Sequence, residues 1–410
     1  MERPYKIKRR VPVVSEVREL VKLRRPHLHV NQARLDRALT IWDIREIARK
    51  RTPAVAFDYT DGAAEQEIGI RRARSMYENV EFVPHVLRDV STVDLRTDVG
   101  GFTADLPFGI APTGLTRLMH HVGEYAGVTV ASRSGIPFTL STMGTVSMEE
   151  VRDTAPNAER WFQLYLWKER DKSAALIERA WNAGYRTLVL TVDTAVGGAR
   201  LRDVRNGMTL PPAFGLKSVV NVASRPAWLY NLLTTDPLSF ASLSKYPGAV
   251  SELINDMFDP TVSFKDLEWL RADWKGRLVV KGIQSVDDAV RAVELGADAV
   301  QLSSHGGRQL DRGPAPLQLV PSVKKALAGS NAEVYVDSGI VSGSDIVAAH
   351  AAGADFAFIG RAYLYGLMAG GEAGVQRVVD ILRSDITRTL QLLGVPTISD
   401  LSSDYVRLPG

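Results

Sequence analysis

From Leu106 onward the chain alternates short apolar runs with amphipathic stretches. The runs are Pro107–Ala111, Phe138–Ser141, Trp161–Leu166, Thr187–Val192, Leu278–Lys281, Ala299–Leu302, Glu333–Val336 and Phe356–Ile359. This is the pattern of parallel strands covered by helices. Eight strand–helix units predict an α/β fold, a closed (β/α)8 TIM barrel over about residues 106–395. An open doubly wound sheet is the competitor, but the glycine-rich dinucleotide fingerprint usual after its first strand is missing.

Residues 1–105 read as an N-terminal helical extension packed on the barrel, and residues 396–410 as a C-terminal tail. The clearest helix of the extension runs from Thr40 to Arg51, where Thr40 can cap and Ile41, Ile44, Ile47 and Ala48 form one apolar stripe. The gap from Val192 to Leu278 is far longer than one helix and two loops require, so a long insertion after strand four is expected at about 201–262. It contains Trp228, Leu229, Tyr230, Leu232, Leu233 and Phe240, interrupted by Pro226, Pro237 and Pro247. It reads either as a lid with its own small core or as a surface that touches lipid or a quinone.

With 410 residues, 45% of them hydrophobic and 24% charged, the chain has the composition of a soluble globular protein with a large core, which removes disorder as a reading. A formal net charge of +3 is small for this length and argues against nucleic acid as the main partner. The basic residues are densest at the N-terminus, at Lys6, Lys8, Arg9, Arg10, Lys22, Arg24 and Arg25. Such a run is either a solvated arm or an attraction to an anionic membrane surface. The absence of cysteine excludes disulfides and thiolate metal sites, and no metal site is expected. No apolar run reaches the roughly 18 residues that span a bilayer and no signal-peptide core follows Met1, so a cytoplasmic protein is expected, with peripheral contact on the inner face of the cell membrane left open.

In such a barrel the reactive groups sit at the carboxyl ends of the strands. Strand one ends Ala111-Pro112-Thr113-Gly114, strand two Ser141-Thr142-Met143, strand three carries Gln163 and Tyr165, and strand four ends Thr191-Val192-Asp193. His305 follows strand six directly, with two glycines and Arg308 behind it, and its near-neutral intrinsic pKa suits proton abstraction. An acidic partner is needed to fix its tautomer; Asp193 fits, although an aspartate at a strand end can equally cap a turn. Arg200 and Arg308 come from two strand ends, and two guanidinium forks in one mouth suit a carboxylate. Lys281 ends a strand reading Leu278-Val279-Val280, so its ammonium must emerge into the mouth or be buried at a cost. Asp337-Ser338-Gly339 after strand seven and Gly360-Arg361 after strand eight lie where barrels commonly bind phosphate.

These residues resemble the FMN-dependent α-hydroxy-acid dehydrogenase/oxidase family, the group that contains glycolate oxidase, L-lactate dehydrogenases and oxidases, and mandelate dehydrogenase. The resemblance runs from about Thr40 to Leu393 and is strongest in Ser303-Ser304-His305-Gly306-Gly307-Arg308-Gln309-Leu310-Asp311. Ile110-Ala111-Pro112-Thr113-Gly114, Phe162-Gln163-Leu164-Tyr165, Thr191-Val192-Asp193 and Val280-Lys281-Gly282 support it. Within the family, Phe57-Asp58-Tyr59-Thr60-Asp61-Gly62 and Gly360-Arg361-Ala362-Tyr363-Leu364-Tyr365-Gly366 are similar to the bacterial respiratory L-lactate dehydrogenases.

The resemblance implies FMN-dependent oxidation of an (S)-2-hydroxy acid, L-lactate to pyruvate, with electrons passed to a quinone or another acceptor. It implies His305 as base with Asp193 as its partner, Arg200 and Arg308 on the substrate carboxylate, Tyr59 and Tyr165 on the substrate oxygens, and Met143 along the pocket. Lys281 would stabilise negative charge on the reduced flavin. Pro112, Thr113, Gly114, Ser141, Gln163, Thr191, Ser303, Asp337, Gly339, Gly360 and Arg361 would bind FMN, and the assembly would be a homotetramer. An oxygen-using oxidase, or an FMN barrel that modifies a peptide, is the alternative. Ser304 stands where the family usually has asparagine, and Met143 where glycolate oxidases have tryptophan. Val341 stands where an arginine commonly binds phosphate, which shifts that task to Arg361, backbone amides and Ser342 or Ser344.

Overall fold

The computed structural model describes residues 30–208, 215–243 and 257–409, together with residues 10, 11, 13, 15 and 16. Of the basic N-terminal residues only Arg10 falls within them, paired with Glu16 at 2.8 Å; the others, and Pro247 of the insertion, lie outside the described residues.

Eight parallel strands close into a barrel: β1 (Phe108–Ile110), β2 (Phe138–Ser141), β3 (Arg160–Leu164), β4 (Thr187–Thr191), β5 (Arg277–Ile283), β6 (Ala299–Leu302), β7 (Glu333–Val336) and β8 (Phe356–Ile359). Each pairs with its sequence neighbours, and β8 returns to β1. The apolar runs therefore mark all eight strands of the TIM barrel to within a few residues. Along each strand the side chains alternate between the barrel axis and the surrounding helices. Trp161, Val189, Val279, Ala299, Tyr335, Phe356 and Phe358 point inward and pack as one apolar plug, whereas Phe162, Leu188, Leu190, Val280, Val300, Val334 and Ile359 join the core under the helices. A hairpin, Thr97–Val99 with Phe102–Ala104, adds Val99 and Ala104 to the plug and covers the end where the strands begin.

Of the helices outside the barrel, α1 (Val30–Arg37), α2 (Ile41–Arg51), α3 (Ala54–Asp61) and α4 (Ile68–Glu78) precede it. Thr40 caps α2 in a reciprocal box with Asp43, and α2 buries Ile41, Ile44 and Ala48 while Ile47 is half-buried. Asp311, buried beyond β6, accepts the backbone N–H groups of Gln66 (3.1 Å) and Gly69 (2.9 Å) and so ties the stretch between α3 and α4 to the barrel mouth. Between β4 and β5 the described residues include a short helix Leu201–Arg205, then α5 (Leu216–Ala223) and α6 (Pro226–Thr234), and a further helix Phe264–Asp273 leads into β5. No described side chain of α5 or α6 is fully buried, and Trp228 is half-buried with its indole N–H on the Leu118 carbonyl at 2.9 Å. Phe240 joins the main core. The described part of the insertion thus has no core of its own. After β7 and β8 come α7 (Gly343–Ala351) and α8 (Arg361–Leu393), the latter broken at Gly370–Gly371.

Candidate active site

Two residues beyond the plug, the same inward register carries polar groups: Ser141, Gln163, Thr191, Lys281, Gln301 and Asp337. All are buried, and they satisfy one another. Ser141 Oγ donates to Gln163 Oε1 (3.1 Å), Gln163 Nε2 to Thr191 Oγ1 (3.0 Å), and Gln301 Nε2 to Asp337 Oδ2 (2.7 Å). Lys281 Nζ donates to Ser303 Oγ at 3.0 Å and lies 3.5 Å from Asp337. Its strand-end ammonium is therefore both buried and paired, which removes the penalty of an isolated buried charge.

Above this layer opens a cavity of about 690 Å³, in the range of small-molecule and cofactor sites. It brings together Tyr59, Pro112, Thr113, Gly114, Ser141, Met143, Tyr165, Thr191, Arg200, Lys281, His305, Arg308, Asp337, Gly339, Gly360 and Arg361. Gln163, Ser303 and Asp193 stand behind its wall, each hydrogen-bonded to a residue that lines it.

His305 is fixed from several sides. Its Nδ1 lies 3.0 Å from Asp193 Oδ1, and its backbone N–H donates to Ser303 Oγ at 3.0 Å. His305, Gly306 and Gly307 all have left-handed backbone (φ 53°, 64° and 73°), a run that only the two glycines adopt without strain. A Cβ at Gly307 would come within 2.8 Å of the Ile70 amide, so the turn also needs that residue for close approach to α4. Ser304 Oγ accepts the Gly307 N–H (3.2 Å), and Ser338 Oγ accepts those of Ser304 (3.2 Å) and Gly306 (3.0 Å). The serine found in place of asparagine thus caps the turn that aims the histidine.

The electrostatics define the resting proton state. Burial, only partly opposed by Asp193 and reinforced by the charges of Lys281 and Arg308, holds His305 below the ordinary histidine value. Burial alone would raise Asp193, but the His305 contact and the Lys281 charge hold its carboxyl below the usual range. The pair therefore rests as carboxylate and neutral imidazole, with Nδ1–H donating and Nε2 left free. Burial, followed by the Asp193 charge, raises the Tyr165 phenol, which stays protonated.

Arg200 and Arg308 flank the Tyr59 ring, their guanidinium carbons 5.9 and 4.6 Å from its centroid. Arg308 also donates to the Tyr59 carbonyl. Burial and then the neighbouring Arg200 press Arg308 below its usual range, the mark of two cations with too little negative charge between them. At the other end, Arg361 opens α8 and donates to the Thr60 (2.9 Å) and Gly62 (2.7 Å) carbonyls.

Sequence reasoning missed several groups. Gln309 Nε2 donates to the Asp193 and Val196 carbonyls at 2.9 Å each, and its Oε1 accepts the Gly198 N–H at 3.1 Å, which holds the loop bearing Asp193 against the histidine turn. Asp61 accepts from Arg45 (2.6 Å), Arg202 (2.9 Å) and Tyr365 (2.7 Å) at the cavity rim. Ser342 and Ser344, expected near phosphate, are engaged elsewhere: Ser342 caps α7 and Ser344 pairs with Thr389 at 3.0 Å. Arg74 instead reaches this end of the cavity from α4, held by Asp345 and the Gly339 carbonyl at 2.6 Å each.

A barrel whose mouth joins a His–Asp pair, two neighbouring arginines that share only Asp203, 4.0 Å from Arg200, and a buried lysine is a redox enzyme's site when a flavin lies across it. Residues 48–408 match the model of the FMN-dependent dehydrogenases, and the chain belongs to that family. Over 400 residues, 98% of this chain and 96% of the relative, it is 52% identical to the Mycobacterium tuberculosis protein named "Putative L-lactate dehydrogenase". An L-lactate dehydrogenase of Xanthobacter autotrophicus is 40% identical over 88% of this chain and 94% of its own. Among solved structures, a monotopic membrane protein, (S)-mandelate dehydrogenase, superposes with a TM-score of 0.87 at 36% identity, covering 91% of this chain and all of that one.

The residues present fit FMN. A long cavity over a layer of amide, hydroxyl and ammonium groups suits a flat heteroaromatic ring, and Arg361 at the positive end of α8 suits a phosphate.

Proposed function

We propose that this protein oxidises L-lactate to pyruvate with FMN as its resident cofactor and passes the electrons to a quinone or a similar acceptor. The observation that carries the reading is the convergence of the His305–Asp193 pair with Arg200, Arg308 and Tyr59 in one cavity. Conversion of a 2-hydroxy acid to a 2-oxo acid removes two electrons and two protons. Bound FMN would supply the acceptor for the two electrons and one of the protons. His305 Nε2 takes one proton, and Asp193 stabilises the imidazolium that results. Arg200 and Arg308 hold the substrate carboxylate, which relieves their mutual repulsion, and Tyr59 and Tyr165 contact its oxygens. Met143 forms part of the side-chain pocket.

Lys281, already paired with Asp337, supplies fixed positive charge to the cofactor's ring. Ser141, Gln163, Thr191 and Ser303, with the backbone of Pro112–Gly114, would hold the ring. Asp337, Gly339, Gly360 and Arg361 would hold the ribityl phosphate, with Arg74 supplying the cation that Val341 does not. Names borne by relatives at 52% and 40% identity favour lactate over mandelate.

Among the described residues no helix is long and apolar enough to cross a membrane. Leu216, Val219 and Val220 of α5 and Tyr230 and Leu233 of α6 are exposed, however, and we assign this face to peripheral contact with the membrane where the acceptor resides. The assembly is a homotetramer on the family pattern.

The test is anaerobic flavin reduction across a panel of L- and D-2-hydroxy acids. Bleaching by L-lactate and not by D-lactate is expected, with sub-stoichiometric peroxide in air. Stoichiometric peroxide would make the protein an oxidase, and a preparation that takes up no FMN would remove the reading altogether.

A further inference from the structure

A second cavity, of about 220 Å³, lies between the C-terminal end of α2, the segment Arg117–His121 after β1, and the start of α6. Lys50, Arg51, Arg117 and Arg225 line it together with His120 and His121, and among the described residues no carboxylate does. Several half-buried cations elsewhere are paired with carboxylates: Arg45 with Asp61, Arg74 with Asp345, Arg170 with Asp259, Arg202 with Glu67. The four here form no ion pair among the described residues. Their hydrogen bonds go to neutral acceptors: Arg51 to Asn31 Oδ1 (2.8 Å), Arg117 to the Asp236 carbonyl (2.6 Å), and Arg225 to Ser224 Oγ (2.8 Å).

Neutral acceptors leave the charge offset only at longer range, by Glu46 for Lys50 and Glu150 for Arg117, and partial burial strengthens the repulsion. Burial and then Arg34 lower Arg51; burial, then His121 and Arg51, press His120 down to about 4; burial and then Arg117 lower His121. Two buried polar atoms on the wall, Arg225 Nε and His121 Nδ1, have no hydrogen-bond partner. The first turn of α6 also lines the cavity, and its first intrahelical bond runs from the Leu229 N–H to the Arg225 carbonyl at 3.0 Å. That leaves the Ala227 and Trp228 amides as donors at the positive end of the helix. Met119, Trp228, Leu232 and Met368 make the remaining wall apolar.

We propose that this cavity binds a phosphate-bearing anion, either a soluble phosphate ester or the headgroup of a lipid. Donors converge on it from three elements, which suits an ion with acceptor oxygens on every side better than a flat carboxylate. The site is separate from the barrel mouth, and its argument stands whether or not the substrate is lactate.

The test uses the full-length FMN-loaded protein with pyruvate in excess, so that the barrel's own anion sites are filled. Binding of inorganic phosphate and glycerol 3-phosphate is measured by titration calorimetry. Co-sedimentation follows vesicles of phosphatidylcholine with and without phosphatidylglycerol. Saturable binding of a soluble phosphate, weakened about tenfold or more in Arg225→Gln and in Arg117→Gln, assigns the site to a soluble ligand. Binding seen only with phosphatidylglycerol vesicles and weakened in the same variants assigns it to a lipid headgroup. Flavin content and thermal midpoint should match the parent. If Arg117→Gln lowers the midpoint through loss of its Asp236 contact, Arg225→Gln decides alone, with Arg225→Lys restoring part of the affinity. No binding of either probe, or binding that Arg225→Gln leaves unchanged, overturns the proposal.

Discussion

Replacing Asp193 by asparagine tests the electrostatic core of the site. The change keeps the side chain's shape and removes its charge, 3.0 Å from His305 Nδ1 on a carboxylate that is 4% exposed. Lys281 and Arg308 both lower the proton affinity of His305, and Asp193 is the group that raises it. Without that charge the imidazolium formed during turnover faces only cations. Breaking a buried charge pair costs about 3–5 kcal/mol, which corresponds to a rate loss of roughly 10² to 10⁴-fold. The assay is anaerobic stopped-flow bleaching of the flavin, with flavin content measured on the same sample.

The pH profile supplies a second reading. Turnover needs neutral His305, whose value lies below the ordinary histidine, so kcat/KM should rise with pH along an acidic limb whose midpoint lies below about pH 6.5. In Asp193→Asn the acidic limb should move to still lower pH while the plateau falls. A loss under about tenfold with normal flavin content, or an acidic limb that moves upward, would refute the reasoning.

Other consequences can be checked separately. Arg308→Lys cannot both donate to the Tyr59 carbonyl and fork onto a carboxylate, so KM for the hydroxy acid should rise about tenfold or more in steady-state assays, and an unchanged KM would remove the arginine from substrate binding. Asp311→Ala strips the acceptor from two backbone amides and should lower the unfolding free energy by about 2–4 kcal/mol in urea titration, with Asp311→Asn losing less; equal loss from both would point to packing alone. Adding FMN at about 100 times its dissociation constant should stabilise the apoprotein by about 2.7 kcal/mol, read as a rise in thermal midpoint, and no rise would count against the cofactor site.

The barrel is legible in the sequence because strands buried on both faces read as unbroken apolar runs, and the polar residue ending each run marks the mouth. The capped helix at Thr40 is legible for a local reason: cap and stripe lie within one short segment. Contacts between distant segments leave no such trace. Nothing near Asp311 announces that it holds Gln66 and Gly69, more than 240 positions away. The same holds for Asp61 and Tyr365, and for Arg74 beside Gly339. Ser342 carried a signal that was read for the wrong purpose. A serine three residues before Asp345 is a helix cap, and its hydroxyl is occupied by that helix. In the insertion, Pro226 reads as an interruption of the apolar residues, yet it opens α6, the helix position where proline fits best.

The most direct test of the account is His305→Ala examined anaerobically with L-lactate. The protein should remain yellow, bind pyruvate through Arg200 and Arg308, and lose about 10² to 10⁴-fold in the rate of flavin bleaching. Bleaching at near the parental rate would show that His305 is not the base and that the His305–Asp193 pair serves only the fold.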